Sequence, residues 1–183
     1  MHALRMDKDT LRRYYKLRRK KAAPKTLLQR DVGSVIETSI NIATYIPINN
    51  EVNTMAINEW ILAHHPTKNL YIPSCPPPNR SRDNYQLFQI RNLFTDIQYH
   101  ENGIPEIHST TIPTISPDEI DFWIVPGVAF TISGIRLGYG MGIYDRLLAS
   151  ATGITYGISH QCQKSDDLPQ SSWDVVMDKV LFY

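Results

Sequence analysis

Residues Phe122–Leu148 read FWIVPGVAFTISGIRLGYGMGIYDRLL. The run Phe122-Trp123-Ile124-Val125 is apolar at every position and is stopped by Pro126-Gly127, which predicts a buried strand. Tyr144-Asp145-Arg146-Leu147-Leu148-Ala149 predicts a helix start. Between them lie Gly134, Arg136, Gly138, Gly140 and Gly142. Glycines at alternate positions permit positive φ and leave no Cβ to block a ligand. Successive backbone N–H groups in such a loop can converge on an anion, and the helix that follows adds its positive end. Arg136 offers phosphate a forked, permanently charged donor. Asp145 offers a carboxylate to a cation that phosphates share. A tight, closely packed loop with no ligand accounts for the same glycines. The pattern is not a Walker A loop, which needs Gly-Lys-Ser/Thr, nor the dinucleotide-binding fingerprint, whose third glycine is spaced differently.

Outward from this stretch, strands alternate with helices. Asn41–Ile46, Asn69–Pro73, Tyr85–Ile90, Ile154–Ile158 and Val175–Phe182 read as strands. Asp7–Lys21 is basic and helical, with an incomplete apolar stripe of Leu11, Tyr14, Tyr15 and Leu17. Its charges read equally as a solvated face or as cations reaching an anionic ligand. After Pro24, the spacing of Leu27, Leu28, Val32, Val35, Ile36 and Ile40 predicts an amphipathic core helix. Another helix is expected from Ile48, with Val52, Met55, Ala56, Trp60 and Ile61 on its apolar face. Glu51 would then sit in a first helical turn, where the dipole favours it. Ser116–Glu119 reads as a turn or helix start. The alternation predicts an α/β fold, a three-layer sandwich with a largely parallel central sheet. Ligands of such sheets collect beyond the carboxyl ends of the strands, where the loop after Val125 lies.

The chain has 183 residues, enough for one compact domain spanning 1–183. A net charge of +1 predicts no general attraction to nucleic acid or membrane. No apolar run reaches membrane-span length and no basic-then-apolar leader opens the chain, so a cytoplasmic monomer is expected. Cys75 and Cys162 make no disulfide framework or metal spacing and read as reduced bystanders. Asn79-Arg80-Ser81 fits a glycosylation sequon by chance. The histidines at 64, 65, 100, 108 and 160 show no metal-ligand spacing.

The signature region resembles that of the 5-formyltetrahydrofolate cyclo-ligase (5,10-methenyltetrahydrofolate synthetase) family, which runs roughly P-G-hydrophobic-A/G-F-D, a gap, then R-L-G-x-G-x-G-Y-Y-D. Pro126, Gly127, Ala129, Phe130, Arg136, Leu137, Gly138, Gly140, Gly142, Tyr144 and Asp145 carry the match. Thr131 stands where the family has Asp, Ile143 where it has the first Tyr, and Met141 where Gly or Lys is common. Lys8-Asp9-Thr10-Leu11-Arg12 resembles the family's opening Lys-x-x-Leu-Arg. Tyr45, Pro47, Glu51 and Thr54 resemble its Y-x-P and E-hydrophobic-D-T elements, with Asn53 for Asp. Gly103-Ile104-Pro105-Glu106, Gln161, Pro169, Asp174 and Asp178 extend the match to nearly the whole chain.

The resemblance implies the fold shared with ribose-5-phosphate isomerase and CoA-transferase-like proteins. It implies ATP-dependent cyclisation of 5-formyltetrahydrofolate to 5,10-methenyltetrahydrofolate. ATP would meet Lys8, Arg12, Arg136 and the loop Gly138-Tyr139-Gly140-Met141-Gly142, with Mg²⁺ at Asp145. Folate would meet Glu51 and Tyr144, and Arg136, Asp145 and Tyr144 would serve the chemistry. A carboxylate suits a pterin because it accepts two hydrogen bonds from an aminopyrimidinone edge. The substitutions at 53, 131 and 143 leave a noncatalytic folate- or nucleotide-binding relative as the alternative. A sugar-phosphate isomerase or transferase on the same fold is a third class.

Overall fold

The computed structural model describes residues 6–74, 85–99, 105–107 and 112–183. Cys75, the sequon at 79–81, Gly103, Ile104, His100 and His108 lie outside them. In chain order the elements are α1 Lys8–Lys20, α2 Gln29–Thr38, β1 Asn41–Ala43, α3 Met55–His64, β2 Asn69–Ser74, β3 Gln86–Ile90, β4 Ile97–Tyr99, β5 Pro105–Ile107, β6 Thr114–Ile115, β7 Phe122–Pro126, β8 Ala129–Phe130, β9 Arg136–Leu137, α4 Ile143–Leu148, β10 Ile154–Ser159 and β11 Lys179–Phe182. A 3₁₀ turn, Pro117–Glu119, leads into β7.

The central sheet runs β11-β10-β7-β1-β2-β3-β6. The five strands from β11 to β2 are mutually parallel, and β3 is antiparallel to β2. This is the expected largely parallel sheet. β7 sits in its middle, and its side chains explain its composition. Phe122 and Ile124 join the core beneath α2 and α3, with Val32, Ile36, Ile57 and Ile61. Trp123 and Val125 join the opposite core, with Phe130 of β8 and Leu147 and Leu148 of α4. A strand buried on both faces must be apolar throughout, since alternation would expose polar groups to a core. Each such side chain contributes roughly 1.5–3 kcal/mol of burial.

Three local differences from the sequence reading matter for the site. β1 ends at Ala43 rather than Ile46, and the helix expected from Ile48 begins at Met55. Asn49 and Asn50 take φ of 50° and 59°, left-handed values that asparagine tolerates and a helix does not. The segment is instead a turn anchored to the core: Thr54 Oγ1 donates to the Tyr45 carbonyl at 2.6 Å, and Tyr45 Oη to the Val52 carbonyl at 2.7 Å. Glu51 is therefore not in a helical first turn, and no dipole holds it. The stretch after β7 is not a plain loop either. β8 and β9 pair antiparallel, Phe130 opposite Arg136, which aims Arg136 back toward the end of β7. The last strand starts at Lys179, not Val175.

α1 closes the carboxyl edge of the sheet. Leu11 and Tyr15 pack on Val128, Ala129 and Leu137. Tyr14 and Leu17, which the apolar stripe had included, are exposed. Among the described residues no helix is long and apolar enough to cross a membrane.

Candidate active site

β1 and β7 are neighbours and parallel, so the segments after Ala43 and Pro126 emerge at the same edge. One carries Glu51, the other Arg136 and the glycine loop. They face each other across a cleft of about 890 Å³ whose far wall is α1. That volume is in the range of small-molecule sites.

Arg136 is buried, with its side chain 3% exposed, and is built in from three directions. Nη2 donates to Asp145 Oδ1 at 2.6 Å, Nη1 donates to the Pro126 carbonyl at 3.4 Å, and the guanidinium lies 5.5 Å over the Tyr144 ring. Its buried Nε has no hydrogen-bond partner among the described residues. Asp145 and Tyr144 stand in the first turn of α4, which spans six residues and follows Gly142 in the left-handed region. So short a helix adds little of the dipole expected of it. At Gly140 φ is +102°, and a Cβ there would come within 3.3 Å of the Arg12 guanidinium carbon. Arg12 Nε donates to the Gly138 carbonyl at 2.9 Å, and Arg12 Nη1 pairs with Asp9 at 2.5 Å. Arg12 thus braces the glycine loop from outside. Lys8 lies farther off: its Nζ is held by Asp174 at 2.6 Å and Ser171 at 3.0 Å, and it does not line the cleft.

Across the cleft, Glu51 is 8% exposed. Its Oε2 accepts the Ile48 N–H at 3.0 Å. Its Oε1 accepts the Tyr139 hydroxyl and lies 3.6 Å from Arg19 Nη1. Burial raises the Glu51 carboxyl above the usual carboxylate range, while the Tyr139 hydroxyl, Arg19 and the Ile48 N–H pull it back. Burial and then the Glu51 charge push the Tyr139 and Tyr144 phenols up, so both stay neutral donors. Arg19 is 1% exposed; Nη1 also donates to the Gly127 carbonyl at 3.3 Å, and Nε has no partner among the described residues.

Two roles were not visible in the sequence. Arg19 looked like one more charge of a basic helix, yet Leu11, Tyr15 and Arg19 recur every four residues and form its buried face. That spacing was the available signal. Tyr139, expected only as part of a phosphate loop, also reaches Glu51 with its side chain. Lys16 and Lys20 of α1 line the cleft as well.

The unusual residues separate by location. Met141 and Ile143 line the cleft, whereas Thr131 and Asn53 do not. Thr131 closes the β8–β9 turn, its Oγ1 accepting the Ile135 N–H at 3.0 Å. Asn53 Oδ1 accepts the Met55 N–H at 2.8 Å and starts α3, which an Asp would also do. Asp178 ties β10 through the Thr155 N–H at 2.7 Å, and Gln161 donates to the Phe182 carbonyl at 3.3 Å; both serve the scaffold. His160 Nε2 pairs with the Asn50 carbonyl at 3.0 Å, supporting the turn that carries Glu51, and burial lowers its pKa. No group of three or more His, Cys, Asp or Glu side chains gathers for a metal among the described residues. Asp145 is a single carboxylate already paired with Arg136, and a cation there would take its remaining ligands from phosphate oxygens and water.

A family model described as the 5-formyltetrahydrofolate cyclo-ligase family matches residues 2–183. The chain is 32% identical over 144 residues to the 5-formyltetrahydrofolate cyclo-ligase of Haemophilus influenzae, covering 77% of this chain and 74% of that one. It superposes on the 5,10-methenyltetrahydrofolate synthetase of Aquifex aeolicus with a TM-score of 0.71 at 26% identity, over 97% of this chain and 90% of the other. The synthetase of Mycoplasma pneumoniae shares the fold, with a TM-score of 0.65 at 22% identity over 96% and 98% of the two chains.

Proposed function

The chain belongs to the 5-formyltetrahydrofolate cyclo-ligase family, and from that premise we infer that its cleft carries out the reaction through the groups described above. The activity is the ATP-dependent cyclisation of 5-formyltetrahydrofolate to 5,10-methenyltetrahydrofolate. The observation that carries the site assignment is that one cleft has Arg136 and the glycine loop on one side and Glu51 on the other.

The chemistry follows from the leaving group. A formamide oxygen leaves poorly. Its attack on the γ-phosphorus of ATP forms an O–P bond, breaks the bond to ADP and leaves an imidate-like phosphate. N10 then attacks the activated carbon and gives up its proton. The C–O bond breaks, phosphate departs, and the methenyl bridge closes. No covalent protein nucleophile is needed. The protein aligns two substrates and neutralises the transferring group. We assign that charge to Arg136 and phosphate cradling to residues 138–142, with Arg12 bracing the loop. Lys8 can join only by leaving Asp174, and Lys16 and Lys20 are better placed. Glu51 accepts the pterin donors. We assign Tyr144, whose ring lies against the Arg136 guanidinium, as the second folate contact. Mg²⁺ would be held by Asp145 with the phosphates and would neutralise part of their charge. The net charge of +1 fits partners that are these two small molecules rather than nucleic acid or membrane, and a cytoplasmic monomer completes the reading.

The test is methenyl formation titrated with Mg²⁺ for the native chain and Asp145→Asn. The variant should need more Mg²⁺ and turn over more slowly while binding folate as before. Native Mg²⁺ dependence in the variant would remove Asp145 from the metal.

A further inference from the structure

We propose that the Tyr139 hydroxyl is a built-in competitor for folate: it holds the Glu51 oxygen that the pterin edge must take, and folate binds by displacing it. This rests on Glu51 being the pterin acceptor, as assigned above.

A carboxylate has about four acceptor sites, two on each oxygen. On Glu51, Oε2 receives the Ile48 N–H and keeps one site open. Oε1 receives the Tyr139 hydroxyl, and its other side faces Arg19 Nη1 at 3.6 Å, too long for a hydrogen bond but too close to admit a further donor between them. An aminopyrimidinone edge presents two parallel donors and needs a site on each oxygen. One of the two groups on Oε1 must therefore yield.

Arg19 is the poorer candidate to move. It is buried, held by the Gly127 carbonyl, and would carry its charge out of the protein only at large cost. Tyr139 is half-buried and sits between Gly138 and Gly140, so its hydroxyl can swing into the cleft and meet water. Its ring is already guided by two α1 cations, with Lys16 Nζ 5.1 Å and the Arg19 guanidinium 5.4 Å from its centroid. In the ligand-free chain the same hydroxyl keeps a buried carboxylate solvated. A ligand lacking the second donor leaves Tyr139 in place, which gives the site selectivity for the complete edge.

The experiment is calorimetric binding of 5-formyltetrahydrofolate, without ATP, to the native chain, Tyr139→Phe and Glu51→Gln. Phenylalanine keeps the ring and removes only the hydroxyl. Loss of a hydrogen bond to a charged acceptor that folate otherwise has to break should tighten folate about tenfold. A merely structural tyrosine, or one that donates to folate, predicts unchanged or weaker binding. Either result in Tyr139→Phe, with binding lost in Glu51→Gln, overturns the competitor role. Native binding by Glu51→Gln would instead overturn the folate assignment of Glu51 itself.

Discussion

At Arg136 the structure changes what a substitution should do. Its pattern in the sequence marks it as a charged donor to phosphate and carries no sign of burial. It is a buried guanidinium paired with Asp145, and its Nε lacks a partner among the described residues. Removing Arg136 strands the part-buried Asp145 carboxylate, at about 1–3 kcal/mol. Arg136→Ala should therefore lower the denaturant midpoint as well as weaken Mg–ATP binding. Arg136→Lys should recover part of the stability but little of the affinity, because an ammonium cannot supply the fork. Unchanged stability in the alanine variant would mean that the Arg136–Asp145 pair contributes nothing to the fold.

Among the elements, β7 was the most legible, because a strand covered on both faces has no freedom in composition: Phe122 to Val125 are buried without exception. α1 was legible as a helix but not in its function, since charge count conceals which basic residue turns inward. The turn from Ile48 to Thr54 was misread because its apolar spacing imitates a helix, and only tertiary hydrogen bonds to Tyr45 and Val52 reveal the alternative. Glu51 was expected in a helical first turn and instead stands in a turn that precedes α3. The glycine loop was legible for a backbone reason that can be tested. Gly140→Ala forces a side chain into left-handed backbone, at about 1–3 kcal/mol, and presses it against Arg12. Mg–ATP affinity should fall severalfold by calorimetry while folate affinity holds. Equal weakening of both ligands would argue that the loop is a scaffold rather than a phosphate cradle.

At the scale of the whole molecule, the proposed ATP and folate subsites meet in one cleft at one sheet edge. The parallel order of β10, β7, β1 and β2 forces their carboxyl ends to one side, so segments far apart in sequence meet there. That convergence was predictable from alternation of strands and helices; the side-chain bonds across it, such as Tyr139 to Glu51, were not. The most direct measurement is methenyl product and ADP followed together, with purified protein, 5-formyltetrahydrofolate and Mg²⁺, with and without ATP. Coupled phosphoryl transfer and ring closure should give one ADP for each methenyl formed and no methenyl when ATP is omitted. Folded protein that binds both ligands yet forms no methenyl, or forms it without consuming ATP, would contradict the cyclo-ligase reaction in this cleft.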